Sequence, residues 1–106
     1  MTGSGIQRLT IESSDNSSIL TLNGDAGDNS YIDMAEGGGN RWIAGLHGNG
    51  DGYKIASGSN FSTGTKFHIE QDGDIQISGS AFVSESLQVD GKFTALGRSN
   101  LGNGQL

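Results

Sequence analysis

The chain contains no cysteine and no proline, and it is poor in apolar residues. Without cysteine no disulfide can stabilise a small fold, and the sequence does not indicate in which redox compartment the protein works. Without proline every residue can donate a backbone hydrogen bond, which favours β-ladders. Hydrophobic residues make up 32% of the 106 residues, which is thin for an independent core. The composition therefore favours a fold whose apolar faces are pooled between chains.

Positive charge and long apolar runs are also scarce. Six Lys and Arg stand against twelve Asp and Glu, so the net charge is −6 per chain. Such a surface repels nucleic acid and anionic membranes. No apolar run approaches the ~20 residues of a membrane-spanning helix, and there is no signal-peptide h-region. We therefore expect neither a nucleic-acid partner nor membrane insertion.

The most regular feature that is present is a six-residue repeat over residues 69–97. Two apolar positions two residues apart are followed by a polar corner with glycine, as in 75–79 and 87–91. Spacing by two puts both apolar side chains on one face of a short strand, whereas a period of six drifts around a helix. Gln71 and Glu85 interrupt the apolar pattern without shifting its phase. The repeat is typical of β-solenoids.

The number of hexads bears on how many chains form the solenoid. The repeat covers about five hexads, whereas three hexads make one triangular coil of a single-chain β-helix. A single chain would leave most of its apolar face in water, but three identical chains would form a stack with a continuous core. We therefore favour a homotrimer over a single-chain coil. Its predicted core residues are Ile69, Ile75, Ile77, Val83, Leu87, Val89 and Phe93.

Residues 6–65 alternate between short β-rich runs and turn residues. The runs are 6–12, 19–22, 31–35, 41–46 and 53–56, and residues 66–70 lead into the hexads. Turn signals such as Asn23-Gly24 separate them, residues 57–65 are expected to be a polar loop, and no helical periodicity is present. The predicted fold class is all-β. An antiparallel meander over 6–65 precedes an intertwined β-helix or β-prism shaft over 66–97, with 98–106 as a tail that continues in a longer chain.

Two stretches resemble trimeric tail-fibre and tail-spike proteins of bacteriophages. One runs from Arg41-Trp42 to Asp51-Gly52-Tyr53-Lys54-Ile55-Ala56, and the other from Lys66-Phe67-His68-Ile69 to Asp72-Gly73-Asp74-Ile75. Short repeats such as 86–93 follow, and the resemblance covers about residues 41–97. It implies a virion protein assembled in the host cytoplasm, an intertwined homotrimer joined to other fibre segments and reaching a host cell-surface receptor. The motifs are typical of a shaft or neck and do not indicate which receptor is bound.

The expected function is therefore a structural segment of such a fibre, contributing to host attachment. The alternative is a carbohydrate-binding tip, in which Trp42 and Tyr53 are the candidate glycan contacts and Tyr31 completes a stacking platform. Residues of this kind more often pack in a core or between subunits. A fragment of a hexapeptide-repeat enzyme is a third, less favoured alternative, which many more coils in a longer chain would support.

The carboxylates that flank Gly73 are the best candidates for catalysis. Asp72 and Asp74 have the pairing that a glycosidase uses, with two carboxylates some 5–9 Å apart. Asp-Gly corners are, however, typical turn residues. We therefore predict a turn here and no enzymatic activity.

The remaining motifs predict no metal or cofactor. His47 and His68 are the only histidines, so one chain cannot supply three or four zinc ligands from them. Three chains could each place one histidine on a threefold axis, but we do not favour such a metal site. Residues 25–36 have the length of an EF-hand loop, but Ser30 stands where that loop needs glycine. The glycine-rich runs 37–39 and 48–52 lack the Lys-Ser/Thr of a phosphate loop. The sequence leaves open the alternative that Ca²⁺ binds outside an EF-hand geometry, at Asp25, Asp28 or Asp51.

Overall fold

The computed structural model describes residues 2–37 and 39–97. Five strands form one antiparallel sheet in chain order, and a one-turn helix, α1 (Phe61–Gly64), joins the third strand to the fourth. The strands are β1 (Ser30–Glu36), β2 (Asn40–His47), β3 (Gly52–Ser57), β4 (Thr65–Ile69) and β5 (Ile75–Ile77). The predicted all-β fold class is thus confirmed for the single chain. The predicted tail at 98–106 lies outside the described residues.

The sheet is centred further along the chain than the sequence predicts. Residues 6–12 and 19–22 were predicted to be strands, but the structure assigns none to residues 2–29. Their apolar side chains are exposed, for example Ile6 at 90%. A strand needs a paired neighbour, and none of the five strands in the described residues pairs with these segments. The predictions of strands at 6–12 and 19–22 are therefore wrong for the single chain.

The C-terminal half also differs from the expectation in two respects. The sheet continues past Thr65, because β4 pairs with β3 and β5 pairs with β4. Beyond β5, residues 78–97 carry no strand in the single chain. The predicted loop at 57–65 contains α1, whose first turn is capped by Asn60: the backbone N–H of Ser62 donates to its Oδ1 at 2.7 Å. Asn is a favoured N-cap residue, and this turn is too short to show a helical period.

The small core lies on the face of the sheet that α1 covers, called here the covered face. Ile43 and Ala56 are register partners on β2 and β3, and both are buried together with Phe61 of α1. The Phe61 ring also meets the ring of Tyr31 edge-on, with centroids 5.6 Å apart. Because Ala56 is small, the larger ring of Phe61 fits above it. These three residues are the only fully buried apolar side chains among the described residues.

Candidate functional site: the open face of the sheet

The face opposite α1, called here the open face, is lined by apolar side chains. Residues paired in register point to the same side of a sheet, so the pairing defines rows that run across the strands. The first row consists of Ile32, Ala44, Ile55, Phe67 and Ile77, one residue from each strand. The second row consists of Leu46, Tyr53, Ile69 and Ile75, with Ser30 at its β1 end.

Within residues 2–37 and 39–97, many side chains of this face stay exposed to solvent. Ile32 is 51% exposed, Leu46 53% and Ile75 60%. Each row spans about 19 Å across the five strands, and the rows lie about 7 Å apart along them. Met34 and Trp42 continue the apolar surface beyond the first row as a further register pair. Contiguous apolar surface of this kind usually marks a site of association.

The predicted trimer-core residues divide into two groups. Ile69, Ile75 and Ile77 come together on the open face, where β4 and β5 pair. The other four lie in residues 78–97, outside the sheet, and are between 44% and 69% exposed. These four are Val83, Leu87, Val89 and Phe93. The structure therefore joins the start of the hexad repeat to the sheet and leaves the later hexads outside it.

The hexad repeat identifies only a small part of the open face. Period-two alternation carries a signal for the remaining residues of the two rows, which include Ile32, Ala44, Leu46, Ile55 and Phe67. In residues 41–46 that alternation already places every second side chain on one face. Which of the two faces α1 would cover was not visible in the pattern, so the exposed one could not be chosen.

The candidate glycan contacts do not form one platform. Trp42 and Tyr53 both lie on the open face, but their register partners are Ser57 and Leu46. They are therefore separated by four residues along the sheet, or about 13 Å. Tyr31 lies on the covered face against Phe61, so its proposed part in a shared stacking platform is wrong.

Trp42 has a polar neighbourhood of its own at the end of the sheet. A shallow groove there is lined by Met34, Glu36, Asn40 and Trp42, together with Ala35. The Asn40 side-chain amide donates to Glu36 Oε2 at 3.2 Å. An aromatic ring beside an amide and a carboxylate offers both a stacking surface and hydrogen-bonding groups.

The Asp72-Gly73-Asp74 corner is the turn between β4 and β5, as the sequence predicts. Gly73 has a φ of 100°, and the Asp74 backbone N–H donates to Asp72 Oδ1 at 3.0 Å. The Gly73 N–H donates to the Glu70 carbonyl oxygen at 3.0 Å. The carboxylates of Glu70, Asp72 and Asp74 come within 4.8 Å of one another, which is compatible with a hard cation. In the structure, Asp72 and Glu70 accept the backbone hydrogen bonds that form this turn.

The two histidines are held by neighbouring groups of the covered face. His47 Nδ1 lies 2.8 Å from Lys54 Nζ and 3.2 Å from Asp51 Oδ2. Because an ammonium group only donates, Lys54 donates to Nδ1, and this contact partners a lysine that is largely buried. His68 Nε2 contacts the backbone carbonyl of Asp51.

An exposed ion pair closes the first hairpin. Arg41 Nε and Nη2 donate to the two carboxylate oxygens of Asp33, each at 2.9 Å. The hydrogen bonding of Arg41 to the Asp33 carboxylate, and next the negative charge of that carboxylate, raise the pKa of the Arg41 guanidinium. This pair lies on the covered-face side of β1 and β2, so the charges are kept off the open face.

Comparisons with known proteins returned no match to a family model, a characterised sequence or a solved structure. Within the part of the chain that the structure describes, no helix has the length and apolar character needed to cross a membrane.

Proposed function

We propose that the chain is a structural segment of a homotrimeric bacteriophage tail fibre or tail spike that contributes to host attachment. The observation that carries the proposal is the hexad repeat, whose apolar residues from Ile75 to Phe93 are exposed in the single chain. A regular apolar pattern without a covering partner is what one strand of an intertwined shaft presents. The sequence resemblance to trimeric fibres supports the same assignment.

The exposed area of the single chain supports association. Its accessible surface is 9293 Å², whereas a compact monomer of 11.0 kDa exposes about 5,600 Å². Among the described residues, three buried apolar side chains are too few to stabilise the sheet alone.

In this role the protein acts mechanically. The trimer spaces and presents a receptor-binding part of the parent fibre in the virion, and it joins other fibre segments end to end. Neither catalysis nor a cofactor takes part in the proposed role. The negative charge of −6 per chain keeps neighbouring fibres apart and soluble.

The mass of the protein in solution tests the proposal. Light scattering after size exclusion, at micromolar concentration, should give three times the 11.0 kDa chain mass. A monomer that unfolds in one cooperative transition would contradict the proposal, because it would show that a single chain covers its own apolar surface.

A carbohydrate-binding role is the second candidate, favoured by the groove beside Trp42. There the ring lies next to the Asn40 amide and the Glu36 carboxylate. Binding of the protein to a glycan array, lost in Trp42→Ala and retained in Tyr31→Ala, would support it. Equal binding by both variants would place the glycan elsewhere.

A further inference from the structure

We propose that the open face of the sheet is itself an interface between copies of this chain. The sheet then belongs to the centre of the assembly, and is not a separate domain displayed beside the shaft. This inference rests on the proposed homotrimer and names a second surface through which its chains associate.

Continuity between the sheet and the shaft is the first argument. Ile75 and Ile77 belong to the first complete hexad of the repeat and also to the two rows of the open face. The next side chain in the row of Ile77 is Phe67, on a strand about 4.8 Å away. A neighbouring chain that covers Ile77 therefore also meets Phe67, and the contact extends along the same row to Ile55.

The chemistry of the face favours a second copy over another occupant. None of the ten residues in the two rows carries a charge. The same face of another copy can pack on it without burying an unpaired charge. A glycan would need several polar partners, and the two rows offer only the hydroxyls of Tyr53 and Ser30.

The opposite side of the sheet is already occupied. Phe61 of α1 packs there on Ile43 and Ala56, and the charged side chains of Asp33, Arg41 and Lys54 lie on the same side. The open face is therefore the one large apolar surface of the sheet left for association among the described residues. A homotypic contact also removes the apolar patch from water in every copy at once.

Because the chain has no cysteine, single thiols can report whether the face is covered. Ile32→Cys places a thiol on the open face of β1, and Ala35→Cys places one on the other face of the same strand. Both positions are exposed in the single chain. Leu46→Cys provides a second position on the open face. The measurement is the rate of labelling by a water-soluble maleimide in native protein and in urea, with light scattering on each sample.

The proposal expects trimers in which Ile32→Cys and Leu46→Cys are labelled at least about tenfold more slowly than Ala35→Cys, with equal rates in urea. If the open-face variants fail to assemble while Ala35→Cys assembles, the face is needed for association, which also supports the proposal. Trimers in which all three thiols react equally fast would overturn this inference and leave the homotrimer standing. A monomeric wild type would overturn both, and protection in a monomer would show that the chain covers its own face.

Discussion

Gly45 is a residue at which the backbone of β2 lies too close to β1 for any side chain. A Cβ at this position would lie 2.7 Å from the Tyr31 Cβ and closer still to the Ser30 carbonyl oxygen. Tyr31 in turn packs on Phe61 of the small core. The absence of one methyl group is thus linked to the packing of the covered face.

We predict that Gly45→Ala destabilises the protein by about 1–3 kcal/mol, because the strands must move apart to admit the methyl group. Gly39→Ala is the matched control, since nothing lies within 4 Å of a Cβ there. It should be neutral or slightly stabilising. Urea unfolding followed by circular dichroism measures both variants. Equal urea midpoints for the two variants would show that β1 moves away from β2 without loss of stability.

The Arg41–Asp33 pair gives a prediction about pH. The pKa of Arg41 is raised by the hydrogen bond and charge of Asp33. A raised pKa on a cation contributes stability that is present below the unfolded-state pKa and is lost only as pH rises through the folded one. Both values lie far above neutrality. The melting temperatures of wild type and Asp33→Asn should therefore run parallel between about pH 6 and 9, and curves that diverge in that range would contradict this explanation.

At the scale of elements, alternation in the sequence predicts where strands lie but not which of them pair. The runs at 31–35, 41–46, 53–56 and 66–70 correspond to β1 to β4 within one or two residues at most of their ends. The runs at 6–12 and 19–22 show similar apolar content, but no strand in the described part of the chain pairs with them. Pairing depends on a neighbouring strand that local sequence does not specify.

The sequence likewise predicts some residues of the candidate site and not others. The hexad period located Ile75 and Ile77, because spacing by two fixes which side chains share a face. It did not locate the rest of their rows, since membership of a row depends on the register of β1 to β4. The exposure of the open face depends further on α1, a four-residue helix without a recognisable period.

β5 offers a comparison of two adjacent residues on opposite faces. Ile77→Asn puts an amide on the open face, and Gln76→Asn shortens an amide on the other face. We predict that Ile77→Asn lowers the trimer fraction and the melting temperature, since each buried isoleucine contributes about 1.5–3 kcal/mol and three copies change together. Gln76→Asn should leave the mass unchanged. It can lower stability only slightly, through the exposed hydrogen bond to Glu70.

Light scattering and thermal melts of both β5 variants, at one chain concentration, make the comparison. If Gln76→Asn dissociates the protein as readily as Ile77→Asn, the two faces of β5 are assigned the wrong way round. The row that ends at Ile77 and the row that ends at Ile75 would then no longer belong to the interface.

At the scale of the whole molecule, the single chain is more extended than a compact domain of its length. Its radius of gyration is 19.0 Å, whereas a compact domain of this length has about 13 Å. The negative charge of −6 opposes association of copies, and salt screens that repulsion. In the proposed trimer, association therefore comes from uncharged surface, which the open face and the hexads supply.

The stability of the proposed trimer depends on chain concentration, because in that proposal only the assembled form buries the apolar surface. For three chains that dissociate as they unfold, a hundredfold rise in chain concentration adds about 2RT ln 100, or roughly 5 kcal/mol of trimer. We predict that the equilibrium urea midpoint of the wild type rises clearly over that range. The refolding curve from urea should coincide with the unfolding curve. This control excludes slow unfolding as the cause of a shifted midpoint. A midpoint that stays constant over the hundredfold range would show that each chain folds alone, and the trimeric interpretation would have to be given up.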